Sequence, residues 1–281
     1  MQRHLMAVVL CLFAAGAFAQ SPTIDKIKKS GTITFGYVAG AIPFSFIREA
    51  KPEGYSVELC ERIAGDLRQQ LKLAKLETRW VALTIQNRLE AVRKGQVDLE
   101  CSTTSRTLTR QGLVDFSLLT YVDGASILVR NDDKLMRLSD FSGKKIAVIS
   151  GTTTEQAMTK VLEKMRLDAQ LVPVPSRADG LAMLDKNSVD GFVSDRVALF
   201  AAGITSANAA SYRLLNDLYT VETYALPMRR GDADFRLAVD RALAGLYLDG
   251  GIGDIYNKWF GQLGPAPAIL QALYMLQGFS E

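Results

Sequence analysis

The sequence predicts an α/β protein, and three observations carry that expectation. Short apolar runs alternate with longer stretches whose apolar side chains recur every three or four positions, the two periods of strand and helix. Hydroxyl-rich or glycine-bearing segments follow several of the strand-like runs, where the carboxyl edge of an α/β sheet meets its ligands. No internal repeat or low-complexity linker interrupts the alternation.

Ahead of the first element, residues 1–19 have a basic start at Arg3, an apolar run from Leu5 to Phe18, and small residues at Ala17 and Ala19. This is the pattern of a secretory signal, and the run is shorter than the roughly 20 residues a membrane-spanning helix needs, so cleavage after Ala19 is expected. Cys11 is removed with it. Ser21 and Pro22 then start a helix with Ile24 and Ile27 on one face and Gly31 as its stop. A strand is predicted over 32–38, followed by an apolar elbow at Pro43, Phe44, Ser45 and Phe46 and a turn at Lys51, Pro52, Glu53 and Gly54. Phe44 suits either the core or the edge of a binding site. Leu59, Ile63, Leu67 and Leu71 stripe one face of a helix over 56–73, with Cys60 beside the stripe. A strand over 75–83 comes next, then a helix capped by Thr84 and ending at Gly95, and a strand over 97–101.

The segment Glu100–Phe116, ECSTTSRTLTRQGLVDF, releases hydroxyls at Ser102, Thr103, Thr104 and Ser105 and then presents Arg110. Neutral donors followed by a guanidinium suit a carboxylate, because Arg offers a planar two-pronged donor and hydroxyls fill the remaining lone pairs. The same residues also fit an ordinary solvated loop. Strands are predicted over 125–130 and 145–150, the second running into Gly151, Thr152, Thr153, Thr154 and Glu155. Thr152 and Glu155 have capping-box spacing, and a helix N-terminus there favours an anion. A strand over 170–174, a helix over 176–186 opened by Arg177, and a strand over 189–194 lead to Asp195, which either caps the next helix or faces a ligand. Two more strands, over 212–215 and 222–228, precede a helix over 234–248. Glycines at 250, 251 and 253 break that helix before two final helices around Trp259 and over 269–276.

The whole sequence carries 33 basic and 30 acidic side chains. Loss of the signal removes Arg3 and no acid, leaving 32 against 30, a net charge of +2. Near-neutrality gives no reason to expect nucleic acid or a polybasic membrane contact. The one histidine, His4, lies in the signal, so the mature chain has no Ser-His or Cys-His nucleophilic pair and no His-ligated metal. No cofactor motif is present. Cys60 and Cys101 remain. An oxidising compartment allows them to pair, closing a loop worth roughly 4 kcal/mol by chain entropy, and two buried thiols are the alternative.

Taken together, PFSF with GYSVELC (43–60), QNRLEAVRKGQVDLECSTTSRTLTR (86–110), VDFS (114–117), SGTTTE (150–155) and DGFVSD (190–195) resemble the periplasmic solute-binding proteins of polar amino-acid ABC transporters, most of all their glutamate/aspartate-binding branch. The resemblance implies a two-lobed periplasmic-binding-protein type II fold, two α/β lobes joined by two crossover strands around a central ligand cleft. The first lobe would hold residues 21–125 and 224–281, the second residues 126–223. It further implies a periplasmic, monomeric protein that captures an amino acid, with an acidic one expected, and hands it to a permease and ATPase. Arg110 would grip the α-carboxylate with Thr103, Ser105 and the amides of Thr152 and Thr153, and Asp195 would take the ammonium. Val38, Ile85, Arg88, Arg177 and Phe44 would form the side-chain pocket. Val38 and Ile85 replace an arginine and a serine of that branch, so the acidic preference rests on Arg88 and Arg177.

Two other functions fit the same residues less well. A cyclohexadienyl or arogenate dehydratase on this fold needs a proton donor beside its leaving group, and Asp195 is already committed to an ammonium. An amino-acid sensor domain would be fused to a transmembrane or kinase segment, which is not expected here.

Overall fold

The computed structural model describes residues 21–205 and 209–280; the expected signal lies outside the described residues. Helix α1 (Pro22–Ser30) is capped by the Ser21 hydroxyl and stopped by Gly31 in the left-handed region, as its sequence predicts. It feeds β1 (Thr32–Val38), a small hairpin of β2 (Phe46–Arg48) and β3 (Lys51–Glu53), and α2 (Tyr55–Gln70). Three of the four residues of the predicted turn at 51–54 are thus strand, and Gly54 alone makes the bend into α2. After β4 (Glu77–Leu83), α3 covers only Arg88–Arg93. Thr84 makes its capping contact one turn ahead of the helix: its hydroxyl accepts the Asn87 amide at 3.2 Å, while its own amide donates to the Asn87 side chain at 2.8 Å.

Strand β5 (Leu99–Glu100), the single-turn α4 (Leu108–Gln111) and the ten-residue β6 (Val114–Asp123) follow. Then come β7 (Ala125–Arg130), β8 (Lys145–Ile149), α5 (Thr153–Met165), β9 (Gln170–Val174), α6 (Arg177–Asp185), β10 (Gly191–Asp195), α7 (Arg196–Thr205) and β11 (Tyr212–Leu214). The chain returns through β12 (Glu222–Arg229) and ends in α8 (Ala233–Leu248), α9 (Gly251–Phe260) and α10 (Ala268–Gln277). Of the glycines expected to separate the last long helices, Gly250 alone makes the break, and Gly251 already belongs to α9.

Two five-stranded sheets result, ordered β4-β1-β5-β12-β6 and β11-β7-β10-β8-β9. Parallel pairing of β1 with β4 and β5, and of β8 with β9 and β10, puts the carboxyl ends of these strands on one edge of each sheet. The sheets are linked twice, by β6 running into β7 and by β11 returning to β12. At the first link only a hydrogen fits on Gly124, since a Cβ there would stand 2.6 Å from the Thr220 carbonyl oxygen. The first sheet carries the larger core, with α2, α8 and α9 over one face; the second is covered on both faces by separate apolar clusters. Cys60 on α2 and Cys101 after β5 form a disulfide with Cα atoms 6.3 Å apart.

Phe44 belongs to this core. It has no exposed surface and packs against Tyr55, Tyr121, Tyr224 and Phe260 at ring distances of 4.9 to 6.1 Å. The elbow turns inward because the Pro43 and Phe44 carbonyls accept the Tyr55 and Ser56 amides at the start of α2. Of its two expected places it therefore takes the core; Val38 is buried at the end of β1, and neither residue is among those lining the cleft between the two sheets.

Candidate functional site

The cleft between the two sheets is lined by Ile85, Arg88, Thr103, Ser105 and Arg110 from one side and by Thr152, Thr153, Thr154, Arg177, Ser194 and Asp195 from the other. Each side is built by a strand end. Beyond β5, the buried Glu100 carboxylate accepts the hydroxyls of Ser102 and of Thr104, the latter at 2.6 Å, and so folds the hydroxyl-rich loop back on itself. The Arg88 guanidinium, first residue of α3, donates to the Thr103 carbonyl at 3.0 Å. Thr107 caps α4 by accepting the Arg110 amide, and the Arg110 guanidinium donates to the Ser105 carbonyl at 2.9 Å. Glu100 opened the segment read for its hydroxyls and was not itself singled out. A carboxylate two and four residues ahead of hydroxyls was the available signal.

Burial is the main cause lowering both Arg88 and Arg110 below the ordinary guanidinium range, Arg110 to about 10. The neighbouring arginines push the same way, and Glu100 and Asp195 oppose them for both; Glu222 is the foremost carboxylate supporting Arg110.

On the facing side, Gly151 leaves β8 with φ +76°, a conformation that favours glycine. Thr152 caps α5 by accepting the Glu155 amide at 3.1 Å, while the Glu155 carboxylate accepts the Gly151 amide at 2.7 Å. Asp195, at the end of β10, pairs with Arg177 at 2.6 Å, both side chains nearly buried. The two residues, given separate roles by the sequence, are bound to each other. Arg177 Nε is buried with no hydrogen-bond partner among the described residues.

The lobes touch. Ser105 Oγ lies 3.3 Å from Thr153 Oγ1, the Gln86 side chain donates to the carbonyls of Ser150 and Pro175, and Ile85 packs against the second lobe's apolar cluster. A larger cavity of about 780 Å³ lies away from this cleft, among Phe46, Trp80, Trp259 and Phe200. There Arg48 pairs with Glu53 and Lys258 with Glu58, whereas the cleft, beyond the strand ends, gathers the guanidiniums of Arg88 of α3, Arg110 of α4 and Arg177 of α6. The cleft is therefore the candidate site.

Residues 33–262 match the model of the bacterial extracellular solute-binding proteins, family 3. The chain belongs to this family. As a member of this family it is a solute-binding protein and not an enzyme. It is 29% identical over 260 residues to an L-glutamate/L-aspartate-binding protein of Pseudomonas aeruginosa, an alignment covering 91% of this chain and 86% of the relative. It is 26% identical to the L-cystine-binding protein TcyJ of Escherichia coli, covering 92% of this chain and 96% of that one. Among solved structures, an ancestral arginine-binding protein bound to arginine superposes with a TM-score of 0.73 at 26% identity, over 82% of this chain and 99% of that chain.

Proposed function

We propose that the protein is exported by cleavage after Ala19, captures an amino acid in this cleft and delivers it to a membrane permease and its ATPase. An acidic side chain is the first reading. The observation that carries it is the convergence of Arg88, Arg110 and Arg177 on one space, with a buried Arg177 N–H still lacking an acceptor among the described residues. In this reading Arg110 holds the α-carboxylate, helped by the Thr103 hydroxyl, the Ser105 backbone amide and the amides of Thr152 and Thr153 at the start of α5. Asp195 takes the ammonium, and Arg88 and Arg177 receive the distal acid across from Ile85. A zwitterion leaving water needs each charge met in this way. The lobes would divide at residues 125/126 and 223/224 and close as a hinge.

A neutral or basic amino acid is the second reading, favoured by the Arg177–Asp195 pair. With Arg177 neutralised by Asp195, and Arg88 and Arg110 facing Glu100 and Glu222, the site is balanced before a solute enters. Thermal-shift screening of the standard amino acids and related dicarboxylates separates the readings, since a ligand at 100 times its dissociation constant adds about 2.7 kcal/mol of stability. L-glutamate or L-aspartate is expected to give the largest shift. A larger shift with a neutral or basic amino acid would overturn the acidic preference, and no shift with any amino acid would overturn the function.

A further inference from the structure

Glu222 opens β12 opposite Asp123 in the β6–β12 ladder, is 3% exposed and stands behind the cleft lining. Its carboxylate accepts the Thr153 hydroxyl, which reaches it from the second lobe at 2.8 Å. A hydroxyl has one proton and a carboxylate only accepts, so Thr153 has none left to give to Ser105. In the 3.3 Å contact between Ser105 Oγ and Thr153 Oγ1 the donor is therefore Ser105. A directed chain runs from the first lobe through the second lobe to a crossover strand, and Glu222 sets its direction.

We propose that Glu222 is a positioning residue for solute capture: by taking the Thr153 proton it fixes the first turn of α5 against Ser105 and leaves both hydroxyls as acceptors toward the solute. This rests on the reading of the cleft given above. The polarity matters because the solute's carboxylate then depends on Arg110 and backbone amides, while a donor such as an ammonium is welcome at the hydroxyls. Replacing Glu222 frees Thr153 to turn its proton elsewhere, and the bridge between the lobes loses its anchor.

The test is a set of dissociation rates on the mature chain, using L-glutamate as probe, or the amino acid with the largest thermal shift if that is another. Glu222→Leu, which removes the acceptor that a glutamine carbonyl would keep, is expected to speed dissociation about tenfold, as for loss of one hydrogen bond to a charged group. In a Thr153→Val background the same change should have less than about a twofold effect, and in a Thr153→Ser background, which keeps the hydroxyl, about the full tenfold. Equal factors in the valine and wild-type backgrounds would show Glu222 acting on its own and sink the proposal, as would an unchanged rate for Glu222→Leu. Melting temperatures without solute show whether a variant has merely lost its fold: loss of affinity that follows a lowered melting temperature in both backgrounds also counts against it. If the wild type binds none of the amino acids, the functional reading falls and this one with it. If the wild type binds and Glu222→Leu is neutral, only the present proposal falls.

Discussion

Arg110 shows how one side chain's environment is assembled from distant sequence. Burial disfavours its charge, Arg88 adds repulsion, and Glu222, Glu100 and Asp195 restore it from three different strands. A guanidinium held under such tension gains most from an added carboxylate, because the partner supplies the compensation that water no longer provides. Arg110→Ala is therefore expected to weaken amino-acid binding by roughly 2 to 5 kcal/mol, the range for truncating one side of a buried charge pair. Calorimetry showing less than about a tenfold loss would remove Arg110 from the site. The residue itself was legible in the sequence, as the guanidinium after a run of hydroxyls. Its electrostatic partners were not, since Glu222 lies more than a hundred positions away and Glu100 reads as an ordinary strand end.

At the scale of elements, most helices and strands follow from period and punctuation. The capping signals Ser21, Thr152 and Ser176 all accept the amide three residues on, so those helix starts were fixed by short-range chemistry. Where the structure differs from expectation, a pairing between segments intervenes: the turn expected at 51–54 is taken up by the pairing of β3 with β2. Of the ten-residue β6 the sequence shows only the VDFS motif, because burial along the strand does not alternate regularly. The Cys60–Cys101 bridge ties α2 to the end of β5, directly ahead of the hydroxyl loop. Closing about 40 residues, it is expected to contribute roughly 4 kcal/mol by constraining the unfolded chain, so the double replacement by serine should lower the denaturation midpoint and, by freeing a more expanded unfolded state, steepen the slope. Two alkylatable thiols in the unreduced protein would rule the bridge out.

For the whole molecule, the two crossings concentrate charge where the sheets meet. Asp123 ends β6 with its carboxylate accepting the amides of Gly124 and Val197, the latter in the first turn of α7. Burial, and then the nearby Asp195, push it up to about 7 against these amides and against Arg177; Tyr121 and Tyr224 also face it. Its folded pKa is raised above the ordinary carboxylate value, so the folded chain holds a proton that the unfolded chain releases between about pH 4 and 7. Stability from this group is therefore fully present at the acid end of that window and declines as pH rises through it. Asp123→Asn should flatten the pH dependence of unfolding free energy between about pH 4 and 7 relative to the wild type. Parallel curves for the two proteins would show that Asp123 does not carry the effect.

By itself the sequence determined the α/β alternation, the helix caps, the confinement of its one histidine to position 4, and the family-bearing segments that hold Arg110 and Asp195. These depend on contacts within a few residues or on composition. Only the tertiary structure decided that Phe44 packs among Tyr55, Tyr121, Tyr224 and Phe260, that Arg177 pairs with Asp195, and that the Thr153 hydroxyl donates to Glu222. Each of those depends on which side chains meet when separate helices and strands pack together. No periodicity along the chain records that meeting.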